Sequence, residues 1–199
     1  MGQTRVFVLS ASILLLCVAV AGIRLIFSIP ISLRANWIFR MTELLEVSAY
    51  VAAARRSLIA MSVLPIWLVV AIVLLMVWPL RLAAEHLLAL AMFGGCLVEF
   101  SLLGFQKVPF TCSYLPGKTN VHIVFWASVL LAIPFAYEIA NLEQRLLLSL
   151  SGYIALLLLL SVAWAAARRR TKSQVAAATQ LKFEDVSDPE IFGLKLDRG

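Results

Sequence analysis

Five long apolar runs constrain the fold of this chain more than any other feature of its sequence. Each run is close to or above the roughly 20 helical residues that are needed to cross a hydrocarbon core. The runs lack the period-two alternation of strands, and an open sheet edge is not stable in lipid. We therefore predict an all-α, polytopic membrane helical bundle with about five transmembrane helices plus an amphipathic helix on its inner face. The predicted spans are residues 6–29, 61–80, 83–105, 122–140 and 146–167.

The composition supports a membrane protein. Of the 199 residues, 62% are apolar and 14% are charged, whereas soluble domains contain about 45–50% and about 25%. A chain of this length cannot bury so much apolar surface as a water-soluble globule. The first run also has features of a secretory signal peptide, with Ala19-Val20-Ala21 as a cleavage site. Its apolar stretch continues beyond that site, so we favour a membrane span.

The Lys and Arg residues predict the orientation of the bundle. With the N-terminus outside, ten basic residues fall on the inner side and three on the outer side, which is the bias typical of cytoplasmic segments. The net charge of +6 is therefore a topology signal, and we expect no nucleic-acid partner. The inner residues are Arg34, Arg40, Arg55, Arg56, Lys107, Lys118, Arg168, Arg169, Arg170 and Lys172, and the outer ones are Arg5, Arg81 and Arg145.

Two segments outside the spans have their own character. Residues 42–60 carry an apolar stripe at helical spacing, which predicts an amphipathic helix lying on the inner leaflet or packed under the bundle. Residues 1–170 form the predicted transmembrane bundle and residues 171–199 a cytoplasmic tail. We interpret the basic cluster 168–172 as a stop-transfer signal, with attraction of anionic lipid headgroups as the alternative. The apolar stripe of residues 42–60 consists of Leu44, Val47, Val51, Ala54 and Leu58.

Two charged residues fall inside predicted spans, where charge is costly and often functional. Arg24 and Glu99 each lie about six residues, or about 9 Å, from the inner end of their span. Glu99 follows Ala91 and Gly95 at four-residue spacing, and such a stripe of small residues lets helices approach closely. We predict an Arg24–Glu99 ion pair inside the bundle. The alternative is that Arg24 reaches the headgroups while Glu99 stays neutral.

The segment 107–120 has the sequence KVPFTCSYLPGKTN and is predicted to be an inner loop. Its Pro-Gly-Lys-Thr ending is similar to a phosphate-binding loop, but Cys112 occupies the position where that loop needs its first glycine. Lys118, beside the start of the next helix, can hold a lipid phosphate or an anionic substrate. We predict that Lys107, Cys112, Tyr114 and Lys118 contact a partner or an anion.

The titratable residues form no recognisable catalytic or metal-binding pattern. The three cysteines lack metal or disulfide spacing. His86 and His122 are predicted at opposite ends of spans across a core of about 30 Å, too far apart to ligate one haem iron. Glu85, His86 and Glu138 can form a metal or proton site, although we favour solvation of these side chains at the interface. We expect no catalytic residue, no metal site and no cofactor.

Two blocks, RANWIFR at 34–40 and KVPFTCSYLPGK at 107–118, resemble segments of uncharacterised bacterial multi-pass membrane proteins with a permease-like layout. The resemblance implies a bacterial inner membrane and a chain corresponding to the C-terminal part of a larger polytopic protein. It carries over no residue role. We expect a permease-like or accessory module of a transport assembly, with the lipid bilayer and other membrane or cytoplasmic subunits as partners. The alternatives are a structural subunit of a larger membrane complex and a membrane enzyme acting on lipid.

Overall fold

The computed structural model describes residues 2–27, 47–104, 121–147 and 149–177, and every regular element within these ranges is a helix. The all-α fold is therefore confirmed. In chain order the elements are α1 Gly2–Ile26, α2 Val47–Leu58, a π-helical turn Ile59–Val63, α3 Leu64–Val77, α4 Leu80–Ser101, α5 Val121–Leu146 and α6 Leu150–Ala177.

The described helices have the length and composition of an α-helical membrane protein. Among the described residues, four segments are long and apolar enough to cross a membrane. Helix α5 covers the fourth predicted span but is not one of these four. The four segments are Arg5–Ile26, Val47–Val77, Leu80–Ser101 and Leu150–Ala177.

Helix α4 lies at the centre of the bundle. Half of the residues in its apolar 18-residue stretch are buried, against 11% in the corresponding stretch of α6. Helix α4 packs against α1, α2, the π turn, α3 and α6. Side-chain hydrogen bonds join it to two neighbours. Trp67 Nε1 on α3 donates to the carbonyl oxygen of Leu87 at 2.8 Å, and the Tyr153 hydroxyl on α6 donates to that of Glu85 at 3.1 Å. The side chains of α4 therefore face other helices more than lipid.

A two-residue connection joins α3 to α4. Trp78 has an extended backbone with φ −113° and ψ 155°, as expected for a residue that precedes a proline. Pro79 then caps the start of α4. The Trp78-Pro79 pair in the sequence indicates a break between two helices, and α3 and α4 pack as a tight helical hairpin joined by the Trp67–Leu87 hydrogen bond.

The connection between α2 and α3 differs from the predicted one. We expected a separate amphipathic helix over 42–60, on the inner leaflet or packed under the bundle, and a span beginning at residue 61. Instead, α2, the π turn and α3 follow one another without a break. Pro65 in the first turn of α3 has no N–H to donate, and the Leu64 N–H donates to the carbonyl of Ile59, five residues back. Of the predicted stripe, Val51, Ala54 and Leu58 are buried, so α2 packs under the bundle.

Helix α6 extends ten residues beyond the predicted end of the fifth span at residue 167. Thr171 is buried, and the Gly104 N–H donates to Gln174 Oε1 at 3.0 Å. The predicted boundary between bundle and tail at residue 170 therefore falls inside a helix. Packing against the C-terminal end of α4 stabilises this extension, which a count of apolar residues does not reveal.

Candidate functional sites on the central helix

A buried carboxylate near the C-terminal end of α4 binds two arginines. Glu99 is 1% exposed. Arg55 Nε on α2 donates to its Oε1 at 2.7 Å and Arg55 Nη2 to its Oε2 at 3.2 Å, while Arg168 Nη1 on α6 donates to Oε1 at 2.7 Å. We call Glu99, Arg55 and Arg168 the Glu99 cluster. One residue of α4 thereby joins three elements.

The electrostatics of the Glu99 cluster explain how a charge is tolerated in the bundle. A buried carboxylate is costly unless it is paired and hydrogen-bonded. The guanidinium group of Arg55 supplies two parallel N–H donors, the geometry for which arginine is suited and lysine is not. Arg55 and Arg168 keep 16% and 42% of their side chains exposed, so both cations retain contact with their surroundings while Glu99 does not.

The partners of Glu99 differ from the predicted one. Among the described residues, its ion pairs are with Arg55 and Arg168. Arg24 does lie at this level of the bundle, and its Nε donates to the carbonyl oxygen of Ser101 at 2.9 Å, two residues along α4. The sequence predicts Arg55 on an amphipathic helix at the inner face and Arg168 in a stop-transfer cluster. The structure brings both side chains to the buried carboxylate.

A second buried cluster lies on the same helix, thirteen residues or about 20 Å away. His86 Nε2 is 2.8 Å from Ser12 Oγ on α1, and His86 Nδ1 is 2.7 Å from Glu143 Oε1 on α5. All three residues are less than 5% exposed. We call Ser12, His86 and Glu143 the His86 cluster. The expected solvation of His86 at the interface is therefore wrong.

The order serine, histidine, carboxylate is that of a hydrolase triad, with the serine on Nε2 and the acid on Nδ1. Two observations oppose nucleophilic catalysis by Ser12. It lies in the middle of α1, where the surrounding backbone N–H groups are engaged in helical hydrogen bonds and cannot form an oxyanion hole. Its hydroxyl is also 2.7 Å from the carbonyl of Leu9 and does not line the adjacent cavity. We interpret the cluster as a hydrogen-bonded network.

Sequence reasoning missed Glu143 because the fourth span was expected to end at residue 140. Helix α5 continues to Leu146. The spacing of Ala136, Ala140 and Glu143, all less than 5% exposed, is that of one helix face. A pattern of small residues followed by an acid on the same face was the available signal. Glu138, the acid named with Glu85 and His86 in the sequence analysis, is exposed.

The remaining predicted contact residues, Lys107, Cys112, Tyr114 and Lys118, lie outside the described residues. Within the described ranges, no group of three His, Cys, Asp or Glu side chains is arranged to hold a metal ion.

Comparisons with known proteins identify no relative. No protein-family model matches the sequence, no curated protein matches it, and no solved structure matches the fold. The two buried clusters and the distribution of charge around them are therefore the features that indicate a function.

Proposed function

We propose that this protein is a permease-like or accessory module of a transport assembly in a bacterial inner membrane, with its N-terminus outside and its C-terminus in the cytoplasm. The observation that carries the proposal is the convergence of Arg55 and Arg168 on Glu99. Ionisable residues buried among membrane helices are costly and are most often retained where a membrane protein binds, moves or assembles with something.

The distribution of charge supports the proposed orientation. The Glu99 cluster brings basic residues of α2 and α6 to the C-terminal end of α4. At the opposite end, Arg5, Trp78 and Gln144 line a common small pocket, so the start of α1, the α3–α4 turn and the end of α5 meet there. Basic residues concentrate at the first of these ends, which favours its position in the cytoplasm.

The Glu99 cluster also supports a role for this end as a contact surface. By holding α2 and α6 against α4, it gives a fixed position to the exposed basic side chains beside it. We call these side chains the basic rim: Arg56, Arg169, Arg170 and Lys172. A surface of this charge attracts an acidic partner or anionic headgroups. The proposed transport role requires the first of these two, an acidic partner, which would be a cytoplasmic subunit of the assembly.

Purification from mild detergent through a C-terminal affinity tag tests the proposal. A stoichiometric nucleoside triphosphatase in the purified material is expected. A large cofactor-bearing complex would instead favour the structural-subunit alternative, and a lone particle that turns over lipid would favour the enzyme. Either of these results would overturn the proposal.

Variants locate the contact surface. We expect Arg169→Gln with Lys172→Gln to reduce the recovered partner several-fold, because electrostatic complementarity at an interface is lost. Arg81→Gln removes an exposed charge at the opposite end and is the matched control, which should leave recovery unchanged. The double variant Tyr114→Ala and Lys118→Ala tests the segment 107–120 in the same way, and unchanged copurification would contradict its predicted contact role.

A further inference from the structure

A cavity of about 100 Å³ lies beside the His86 cluster, between α4, α5 and α6. Nine of its eleven lining residues are apolar, and the two polar ones are His86 and Glu143. A pocket that is mostly apolar with a few convergent polar groups is the usual form of a small-molecule site. The cavity therefore has an apolar body and one polar end.

The polar end contains an unsatisfied acceptor. Glu143 Oε1 is hydrogen-bonded to His86 Nδ1, but within the described part of the chain Oε2 has no hydrogen-bond partner. The proton between Nδ1 and Oε1 can sit on either atom, and in both arrangements Oε2 remains an acceptor. A buried acceptor without a donor is costly. We therefore expect Oε2 to accept a hydrogen bond from a group that does not belong to the protein.

The cavity opens toward the outside of the bundle. Two of its lining residues, Leu142 on α5 and Leu159 on α6, are 45% and 62% exposed. The lining extends along α4 from His86 to Phe93, seven residues or about 10 Å. Because α4 and α6 are both long and apolar enough to cross a membrane, a ligand that enters between Leu142 and Leu159 comes from the lipid phase.

We infer that this cavity binds a membrane-borne alcohol, with its hydroxyl group donating to Glu143 Oε2 and its alkyl chain lying along Phe93 and leaving between Leu142 and Leu159. A water molecule is a poorer occupant, because a buried water needs two to four polar partners. The nine apolar lining residues offer no side-chain partner, and the polar ones are His86 and Glu143. A carboxylate ligand is disfavoured beside the carboxyl group of Glu143. The inference is independent of the proposed transport role.

Photocrosslinking of the purified full chain in detergent tests the inference. The probe is dodecanol with a diazirine in its chain, and the competitors are dodecanol and dodecyl methyl ether, which has a similar chain but no hydroxyl proton. We expect crosslinks on α4, α5 and α6 around the cavity. The alcohol should compete about ten-fold better than the ether, because the ether cannot donate a hydrogen bond to Glu143 Oε2.

Two variants probe the two ends of the cavity separately. Glu143→Gln is expected to abolish the preference for the alcohol over the ether as competitor. Leu156→Phe narrows the apolar body and is expected to reduce crosslinking by the diazirine probe. Equal competition by alcohol and ether in the wild-type chain, or crosslinks spread over all lipid-facing helices, would overturn the inference. The Leu156→Phe result keeps the test decisive if Glu143→Gln fails to fold.

Discussion

At the residue scale, Glu99 is the position where a single atom change should affect the fold most. Glu99→Gln removes the negative charge while preserving the shape of the side chain, and it leaves Arg55 and Arg168 facing a neutral group. Breaking a buried pair costs about 3–5 kcal/mol, and partial exposure of both arginines places the expected loss near the lower end of that range. Unfolding in detergent, followed by circular dichroism, measures the loss.

Glu85→Gln is the matched control for this substitution. It breaks the Arg81–Glu85 pair at 2.9 Å, in which the Arg81 side chain is 77% exposed. Exposed pairs contribute less than about 1 kcal/mol. Equal losses of stability in the two variants would contradict the burial-based account of Glu99.

A second prediction at this scale identifies the partners of Glu99 by double-mutant cycles. Combining Glu99→Gln with Arg55→Gln or with Arg168→Gln should show coupling energies within the range of about 0.5–3 kcal/mol for residues in one network. The cycle with Arg24→Gln should show weaker coupling, because Arg24 Nε donates to the backbone carbonyl of Ser101 and not to the Glu99 carboxylate. Strong coupling to Arg24 alone would restore the pair predicted from the sequence.

The sequence could predict the depth of Glu99 but not its partners. Its position in an apolar run of known length determines how far it lies from the end of a helix. The partners depend on how α2 and α6 pack, and Arg55 and Arg168 sit in segments whose local composition is typical of a membrane surface. Tertiary packing places these arginines against α4. No local sequence pattern distinguishes the two arginines from solvated ones.

At the element scale, the π turn and α4 approach each other closely at Gly94. A Cβ atom on Gly94 would lie 2.7 Å from Val63 Cγ1 and 3.3 Å from Leu16 Cδ2. Gly94→Ala therefore has to displace Val63 and is expected to destabilise the bundle by about 1–3 kcal/mol, as overpacking does. Thermal unfolding in detergent measures this change.

Gly22→Ala on α1 is the matched control for Gly94→Ala. No atom lies within 4 Å of the added Cβ, and alanine is favoured over glycine in a helix by about 0.5–1 kcal/mol. The control should therefore be neutral or stabilising. Destabilisation of both variants to the same extent would show that helix propensity, and not the contact with Val63, determines the result.

Elements with local signals were predictable, and elements set by packing were not. Trp78 and Pro79 determine the α3–α4 hairpin because a proline restricts the residue before it. Helix α2 is continuous with α3, and its face of Val51, Ala54 and Leu58 is buried. In the sequence, this apolar stripe fits a surface helix and a packed helix equally well. The predicted small-residue stripe is partly realised, since a Cβ on Gly95 would lie 3.2 Å from the Trp164 ring of α6.

At the scale of the whole molecule, the basic residues of α2 and α6 gather around Glu99 and in the basic rim at one end of the helical bundle. We propose that this end faces the cytoplasm. The buried partners of Glu99 contribute to the fold, while the exposed residues of the rim remain available to a partner. Both roles depend on the orientation of the bundle in the membrane.

Labelling of single cysteines with a membrane-impermeant maleimide in bacterial cells tests this claim most directly. In a chain whose native cysteines are changed to alanine, Arg81→Cys reports on the α3–α4 turn and Arg169→Cys on the basic rim, both at exposed positions. We expect labelling of the Arg81→Cys variant in intact cells and of the Arg169→Cys variant only after permeabilisation. The opposite pattern, or labelling of both variants in intact cells, would contradict it.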